Sequence, residues 1–548
     1  MDTILILDFG SQTTQLIGRR IRDLGVYTEI LPGDSVLSGG ELSLAKSRSA
    51  EDSAEALTPD VKGIILSGSP ESAYEDGVLP DKAIYSCGLP LLGICYGLQR
   101  MTLDLGGEVK PLPKREYGRV GVTVRGDNSS TPLSPFPTSF LKGFRSSFTA
   151  WMSHGDTVTR LAPGFSEYGK SDSGFPAVVA HETKPWFGLQ FHPEVTHCEG
   201  GNDILGAFIF GVCGCTAGWT MAHYVEELRS SLDDRIGKNP VLLLISGGVD
   251  STVSGALLLK TLGADQVHLM YMDTGLMRKD ETKTVRASLE KLGAKHLHII
   301  HCEDEFLSAL KGVSEPETKR KIIGDLFISI QEREVTRLGL PESYFLAQGT
   351  LYTDLIESGK GVGNKAHVIK SHHNVGSPLV EAKRNAGRIV EPLDKLYKDE
   401  VRALGRLLGV DEEVVRRHPF PGPGLAVRIL GEVTKEKCDI LREADAVYIE
   451  ELKRRQSPGG CCLYDEIWQA FAILLPVRSV GVTGDVRRYS WVLALRAITS
   501  TDGMSADVYP FETHDLLEIS TRITNLVPDI GRVVYDISSK PPATIEWE

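Results

Sequence analysis

Cysteine is scarce in this chain. Its 548 residues hold nine cysteines, an odd number with no paired CxxC motifs, which argues against a disulfide framework and a structural zinc site. Cys213 with Cys215, and the adjacent Cys461 and Cys462, read as small buried or incidental thiols. Positive charge is also short: the net charge of −13 argues against a general nucleic-acid or membrane-surface binder, though local basic pockets remain open. No apolar run approaches the roughly 18 residues that span a bilayer. The opening MDTILILDFG is bracketed by Asp2 and Asp8 with no basic segment before it, so it reads as a first strand and not as a signal peptide. There is no internal repeat and no low-complexity block. These absences point to a soluble, cytoplasmic protein of ordinary composition, with 41% hydrophobic and 24% charged residues.

What is present divides into three stretches, since the chain is too long for one core at roughly 100 to 200 residues per domain. In 1–215, short apolar runs such as TILILDF, VKGIILSGS and LPLLGICYG alternate with turns and some helical patterns, predicting an α/β domain with a mixed sheet. After the breaker-rich GVCGCTAG, residues 216–423 show strand-like runs alternating with helices, the pattern of a Rossmann-like parallel sheet. RHPFPGPG, with three prolines and two glycines, cannot hold regular structure and marks the next boundary. Residues 424–548 combine a long helical segment with strands, a smaller α+β part.

LLGICYG places Cys95 where an apolar strand turns between Gly93 and Gly97, a cysteine form of the nucleophile elbow. Glycines permit the turn, and a following helix start lowers a thiol pKa; a buried structural cysteine at a strand end is the plainer alternative. LQFHPEVTH adds His192 and Glu194, which share a face on an extended chain, so that Glu194 can orient the imidazole. Nucleophile, proton shuttle and orienter are then available. On these residues the first 210 or so positions resemble class I glutamine amidotransferases. The resemblance implies that Cys95 attacks the glutamine side-chain amide, releasing ammonia and leaving a thioester for water. It also implies oxyanion donors at the backbone of Gly68 and Tyr96. One departure is the Ser-Gly-Ser-Pro of 67–70, where the family has Ser-Gly-Gly-Pro. A serine at 69 is strained if that position needs a positive φ.

The second motif is SGGVDST, residues 246–252, following the apolar run Val241 to Ile245. A glycine turn into a helix aims N–H groups and hydroxyls at one point, which suits phosphate. The motif has no lysine and so is not the P-loop G-x-x-x-x-G-K-[ST]. It resembles the pyrophosphate loop of the ATP pyrophosphatase group, which implies that Ser246, Gly247, Gly248, Val249, Asp250, Ser251 and Thr252 hold the β,γ-pyrophosphate of ATP. Mg²⁺ carried with ATP neutralises charge in such a site. The bland alternative is a glycine-rich turn with an acidic cap.

The last stretch, with RHPFPGPGLAVRILGE, LPVRSVGVTGDVRRYSW, IKSHHNVG and the tail SSKPPATIEWE, resembles the glutamine-hydrolysing GMP synthase family over essentially the whole chain. That likeness implies adenylation of XMP at its C2 oxygen, then displacement of AMP by ammonia, giving GMP, AMP, pyrophosphate and glutamate. It places Arg320, Gln469, Asp485, Lys540 and Glu546 at XMP-binding positions; a nucleotide monophosphate needs cationic donors and its base and ribose need acceptors. It places Asp354, Glu357, Lys370, His372 and His373 in a lid over ATP and Mg²⁺. The paired histidines have no third ligand at metal spacing, so a structural metal is rejected. Ser377-Pro378-Leu379 departs from the family's Gly-Leu-Pro, which leaves lid closure open. The resemblance further implies a homodimer formed through the C-terminal domain.

Two rivals remain at this stage. A tRNA-thiolating pyrophosphatase predicts a basic appended domain and paired cysteines, and neither is evident. A non-catalytic nucleotide-binding regulator predicts decay of the triad and of the loop, yet both are intact.

Overall fold

In the computed structural model, the described residues are 1–35, 43–44, 55–56, 60–74, 77–125, 135–357, 378–483, 485–500 and 506–548. They divide into two compact units, one of Met1–Tyr224 with the described residues 353–357, and one of Val225–Tyr352 with the chain from Pro378 onward.

The first unit is built on a nine-stranded sheet. Its first strands are β1 (Thr3–Asp8), β2 (Tyr27–Pro32), β3 (Val61–Leu66) and β4 (Leu91–Ile94). Helix α1 (Thr14–Asp23) lies between β1 and β2, and α2 (Tyr96–Asp104) follows β4. Then come β5 (Glu108–Val124), β6 (Ser147–Arg160), β7 (Phe165–Ser171), β8 (Pro176–His181) and β9 (Trp186–Leu189). The order is β2-β1-β3-β4-β9-β8-β7-β5-β6. Strands β2 to β9 of that order run parallel, and the rest are antiparallel. This is the mixed sheet that the run pattern predicts. TILILD, the expected first strand, is buried at all six positions, as a strand covered on both faces must be.

The second unit carries two sheets. Its parallel sheet contains β10 (Val241–Ile245), β11 (Val267–Asp273), β12 (His296–His301), β13 (Phe345–Ala347) and β14 (Ile389–Val390). The order β12-β11-β10-β13-β14 puts β10 at the centre. The chain steps outward from β10 to one side and then returns to its other side. The carboxyl end of β10 is therefore a topological switch point, the crevice where open parallel sheets bind ligands. SGGVDST leaves β10 there and enters α3 (Val249–Leu262). Two more helices bear on the sites, α4 (Pro316–Leu338) and α5 (Lys398–Leu407). A long helix, α6 (Lys435–Arg454), packs under the second sheet, whose hairpin is β15 (Gln469–Thr483) and β16 (Val486–Thr499). A short β17 (Asp507–Val508) and a parallel β18 (Ile530–Tyr535) complete that sheet on β16.

One apolar core joins the two sheets of this unit, running from Leu242 and Met270 through Leu425 and Leu441 to Leu474, Leu495 and Ile530. RHPFPGPG is irregular, as its composition requires, but it packs against that core, with His418, Pro423 and Gly424 buried. A Cβ on Gly424 (φ +64) would stand 2.3 Å from Leu276 O, so this position accepts only glycine. His418 sits in the same segment, its ring stacked 3.9 Å from that of Tyr464. Its Nε2–H donates to Tyr464 O (2.7 Å) and its Nδ1 accepts the Ala470 N–H (3.1 Å). Both nitrogens are satisfied by the neutral ring, and burial pushes its pKa down to about 4. Between an unfolded value of 6.5 and that folded value, the unfolded chain binds a proton that the folded chain refuses. Stability therefore falls as pH drops through that window, by on the order of 3 kcal/mol from this group. Denaturant titrations at pH 7 and pH 4.5 are expected to show a smaller acid loss for His418→Gln, by about 2 kcal/mol.

Candidate active site

The turn after β4 explains its glycines. A Cβ on Gly93 would lie 2.6 Å from Gly97 C and Leu98 N, and one on Gly97 would lie 2.3 Å from Leu66 O. Helix α2 can start directly on β4 only if both positions lack side chains. Cys95 between them is held at φ +52, a strained conformation for a side-chain-bearing residue. Its N–H donates to Leu189 O at 2.7 Å, and its thiol faces Ser153 O at 3.8 Å. His192, just past β9, is brought beside it. His192 Nδ1 is 2.7 Å from Glu194 Oε1, and Glu194 is fully buried. Burial opposes charging of the ring, but the Glu194 carboxylate and a hydrogen-bonding interaction with Cys95 outweigh it and hold its pKa well above the usual value. Arg20 Nε donates to Glu194 O (3.0 Å), tying the third member to α1.

Gly68 borders the imidazole, since a Cβ there would be 3.1 Å from His192 Cε1. Tyr96 is the first residue of α2, so its N–H lies among the first-turn amides that have no intrahelical acceptor. Both expected oxyanion donors thus flank the thiol and the ring. Ser69 carries no backbone strain: it is not among the residues of positive φ, and its Oγ accepts the Glu71 N–H at 3.1 Å. The hydroxyl makes a local turn that glycine cannot make.

Sequence reasoning misses the shell around this thiol. Gln190 Nε2 approaches Cys95 Sγ at 3.8 Å, and Gln99 Nε2 donates to Asp156 O at 2.8 Å. His154 Nδ1–H donates to the same carbonyl (2.8 Å), while its Nε2 lies 3.2 Å from Glu116 Oε2 across the β5–β6 register. Burial lowers the His154 pKa despite that carboxylate. The available signal is period two: on an alternating strand, MSHGD puts His154 and Asp156 on the covered side, where polar residues need partners.

In the second unit, Gly247 has φ +79 and Gly248 caps α3. Ser246 N–H donates to Ser251 Oγ (3.2 Å), and Thr252 Oγ1 donates to Gly248 O (2.9 Å). These hydroxyls shape the turn, and the N–H groups of Val249 and Asp250 stand in the open first turn of α3. Two cations from distant segments reach this loop. Lys398 Nζ donates to both carboxylate oxygens of Asp250 (2.6 and 2.5 Å), and Arg417 Nη1 donates to Gly247 O (2.8 Å). Neither has a local sequence signal, because each lies about 150 residues or more from the motif.

The expected XMP-binding residues divide. Gln469 Nε2 donates to Glu546 Oε1 (3.0 Å), and Glu546 is gripped through both oxygens by Arg428, at 2.8 and 3.1 Å. Arg320 Nη2 donates to Glu548 O (2.5 Å). Lys540 is tied to Ala506 by backbone hydrogen bonds of 2.8 and 3.0 Å. Arg320, Gln469 and Glu546 therefore gather around the chain's last residues. Asp485 does not join them. It is exposed, at φ +65, at the tip of the β15–β16 hairpin, whose other end holds Gln469. Gln469 pairs with Ile498 and Thr483 with Val486, and the intervening length of β16, at about 3.3 Å per residue, puts the two ends of the hairpin roughly 40 Å apart along the strand. Of the lid positions, Asp354 and Glu357 fall on the helix Tyr352–Glu357; Lys370, His372, His373 and Ser377 lie outside the described residues.

Among the described residues no group of three His, Cys, Asp or Glu is placed to hold a metal ion, and no helix is long and apolar enough to cross a membrane. Comparison with known proteins divides the chain as its sites do. Residues 5–212 match the class-I glutamine amidotransferase family, 220–322 the NAD synthase family, and 460–547 the GMP synthase C-terminal domain. The chain is 47% identical over 548 residues to the glutamine-hydrolysing GMP synthase of Brucella suis, covering 100% of this chain and 99% of that protein. It is also 47% identical over 550 residues to that of Zymomonas mobilis, covering 100% and 98%. Among solved structures, a GMP synthase subunit protein from Thermoplasma acidophilum is 28% identical over 42% of this chain and 98% of its own, with a TM-score of 0.30.

Proposed function

The chain belongs to the glutamine-hydrolysing GMP synthase family, and from that premise we propose how its residues divide the labour of turning XMP into GMP. The reading uses three functional parts, 1–215, 216–423 and 424–548. In the first, the Cys95 thiolate attacks the carboxamide carbon of glutamine. The oxyanion that forms is held by the N–H groups of Gly68 and Tyr96. The His192 imidazolium, kept charged by Glu194, hands its proton to the departing nitrogen. Ammonia leaves, and water admitted through the same imidazole cleaves the thioester to glutamate.

In the second part, the C2 oxygen of XMP attacks the α-phosphorus of ATP, and the bond to the β,γ-pyrophosphate breaks. The open amides at the start of α3 face the leaving group. Ammonia then adds at C2 and AMP departs, leaving GMP. The loop's single carboxylate, Asp250, suits a Mg²⁺ that arrives on the nucleotide and keeps water and phosphate as its other ligands. That ion would neutralise charge on the triphosphate.

In the third part, Arg320, Gln469, Lys540 and Glu546 are assigned to XMP. We place the enzyme in the cytoplasm as a homodimer. Supporting the dimer, the outer half of the β15–β16 ribbon exposes Val480, Val482, Val486 and Tyr489, and two strands alone are marginally stable in water. Sedimentation at micromolar concentration is expected to read two chains. A second copy is also the means by which Asp485 would reach an XMP site.

The observation that carries this reading is one polypeptide holding both the Cys95–His192–Glu194 constellation and SGGVDST at a switch point, matched end to end by its relatives. The test mixes the protein with XMP, ATP, Mg²⁺ and ammonium chloride. GMP and pyrophosphate are expected in equal amounts; no pyrophosphate under any nitrogen supply would overturn it.

A further inference from the structure

Gln190 is completely buried beside the Cys95 thiol. A buried amide destabilises a core unless its hydrogen bonds are made, and an apolar side chain of the same shape fills such a space as well. We infer that Gln190 is a catalytic residue of the glutaminase reaction, its side-chain N–H donating to the Cys95 sulfur whenever that atom carries charge. The inference rests on the reading above and adds a residue to it.

The backbone puts Gln190 in place. It follows β9 directly, and its N–H donates to Ala177 O on β8 at 3.0 Å, extending the ladder. At a spacing of two from His192, the two side chains leave one face of an extended chain. Both meet the same sulfur, Gln190 through Nε2 at 3.8 Å and His192 through its imidazole. Which end of the amide faces the sulfur is decided one step back. Asp156 O can only accept, and Gln99 Nε2 donates to it at 2.8 Å. The same nitrogen stands 3.4 Å from Gln190 Oε1, so Gln99 presents a donor and Gln190 must turn its oxygen there. Its NH2 group is left for Cys95. A flipped Gln190 would set two NH2 groups against each other and an oxygen against the thiolate.

The thiol has two states with different needs. Protonated, it donates to Ser153 O at 3.8 Å. As a thiolate it has no proton to give, that carbonyl repels it, and it needs donors. Charge sits on the sulfur twice in the cycle. The first time is before attack on the carboxamide; the second is when the C–S bond of the water adduct breaks and glutamate leaves. The imidazolium gives its proton away with ammonia and regains one from water. The amide keeps its own throughout.

The experiment compares wild type with Gln190→Met, which keeps the shape, and with Gln190→Glu, which keeps shape and the oxygen toward Gln99 but turns an acceptor to the sulfur. For glutamine hydrolysis at pH 7.5, kcat is expected to fall about tenfold in Gln190→Met and about 100-fold or more in Gln190→Glu, with KM within about threefold. Ammonium-dependent GMP formation and the thermal midpoint report that the fold is intact. The readout that packing alone would not move is alkylation of Cys95 by iodoacetamide, followed on its own peptide because Cys87 and Cys461 are exposed. Without its donor the thiolate is scarcer but, once formed, the better nucleophile. Gln190→Met is therefore expected to react about threefold more slowly than wild type at pH 6 and about threefold faster at pH 10. The ionisable groups facing this corner, His192 with Glu194 and His154 with Glu116, are the same in both proteins, so the crossing belongs to the donor. If the two rates differ by one constant factor at every pH, or Gln190→Glu hydrolyses glutamine as fast as Gln190→Met, Gln190 is a packing residue and the assignment is wrong. If wild type does not hydrolyse glutamine at all, the parent reading fails instead.

Discussion

Cys95→Ala is expected to lose glutamine-dependent GMP formation by about 10³-fold or more while ammonium-dependent formation stays within about twofold of wild type. The size follows from the role. Removing a nucleophile abolishes the covalent route and leaves only binding and the oxyanion donors. The selectivity follows from the fold, because Cys95 belongs to Met1–Tyr224 and the pyrophosphate loop to the other unit. Truncating the thiol removes one buried atom at a turn that Gly93 and Gly97 already dictate. The measurement is GMP produced with glutamine and, separately, with ammonium chloride at matched enzyme. Loss of both activities would make Cys95 a packing residue. His192→Ala is expected to follow the same pattern, since the proton that leaves with ammonia comes from its ring.

The sequence is most legible where local rules act alone. A short apolar run bounded by polar residues reads as a covered strand, and Ile4–Leu7 within TILILD is one. The glycines of GICYG announce a sharp strand-to-helix turn, because no other residue fits the backbone approaches found there, and Gly247 of SGGVDST another, through its φ of +79. His192 and Glu194 are readable together because a spacing of two keeps side chains on one face of an extended chain. What escapes is whatever tertiary packing assembles. Lys398 and Arg417 meet the loop only because α3 and α5 pack together and RHPFPGPG folds back beside them. The same proline-rich stretch shows the limit of composition: it forbids regular structure, yet says nothing of burial, and His418, Pro423 and Gly424 lie inside. Asp485 carries the converse lesson, since a motif match names a residue while strand length decides whether it reaches its neighbours.

The C-terminal tail yields the other large effect. Arg428 is completely buried, with its guanidinium on both oxygens of Glu546 and over the rings of Phe420 and Phe471, at 5.0 and 4.1 Å. Lys319, equally buried, donates to Ile429 O (2.8 Å) and to the Glu548 carboxylate. Arg496 holds Thr544 O, Ile545 O and Asp536 Oδ2 within 2.9 Å. Three buried cations thus depend on the last few residues. Glu546→Leu alone strands the Arg428 charge in an apolar setting, which costs about 3–5 kcal/mol. Replacing both partners, Arg428→Met with Glu546→Leu, removes the charge along with its partner and is expected to restore most of that loss. If Glu546 also contacts XMP, the double variant regains its denaturation midpoint while KM for XMP stays raised by about tenfold or more. A double variant that regained both would make Glu546 a structural anchor only; one that regained neither would mean that the tail is held by more than this pair.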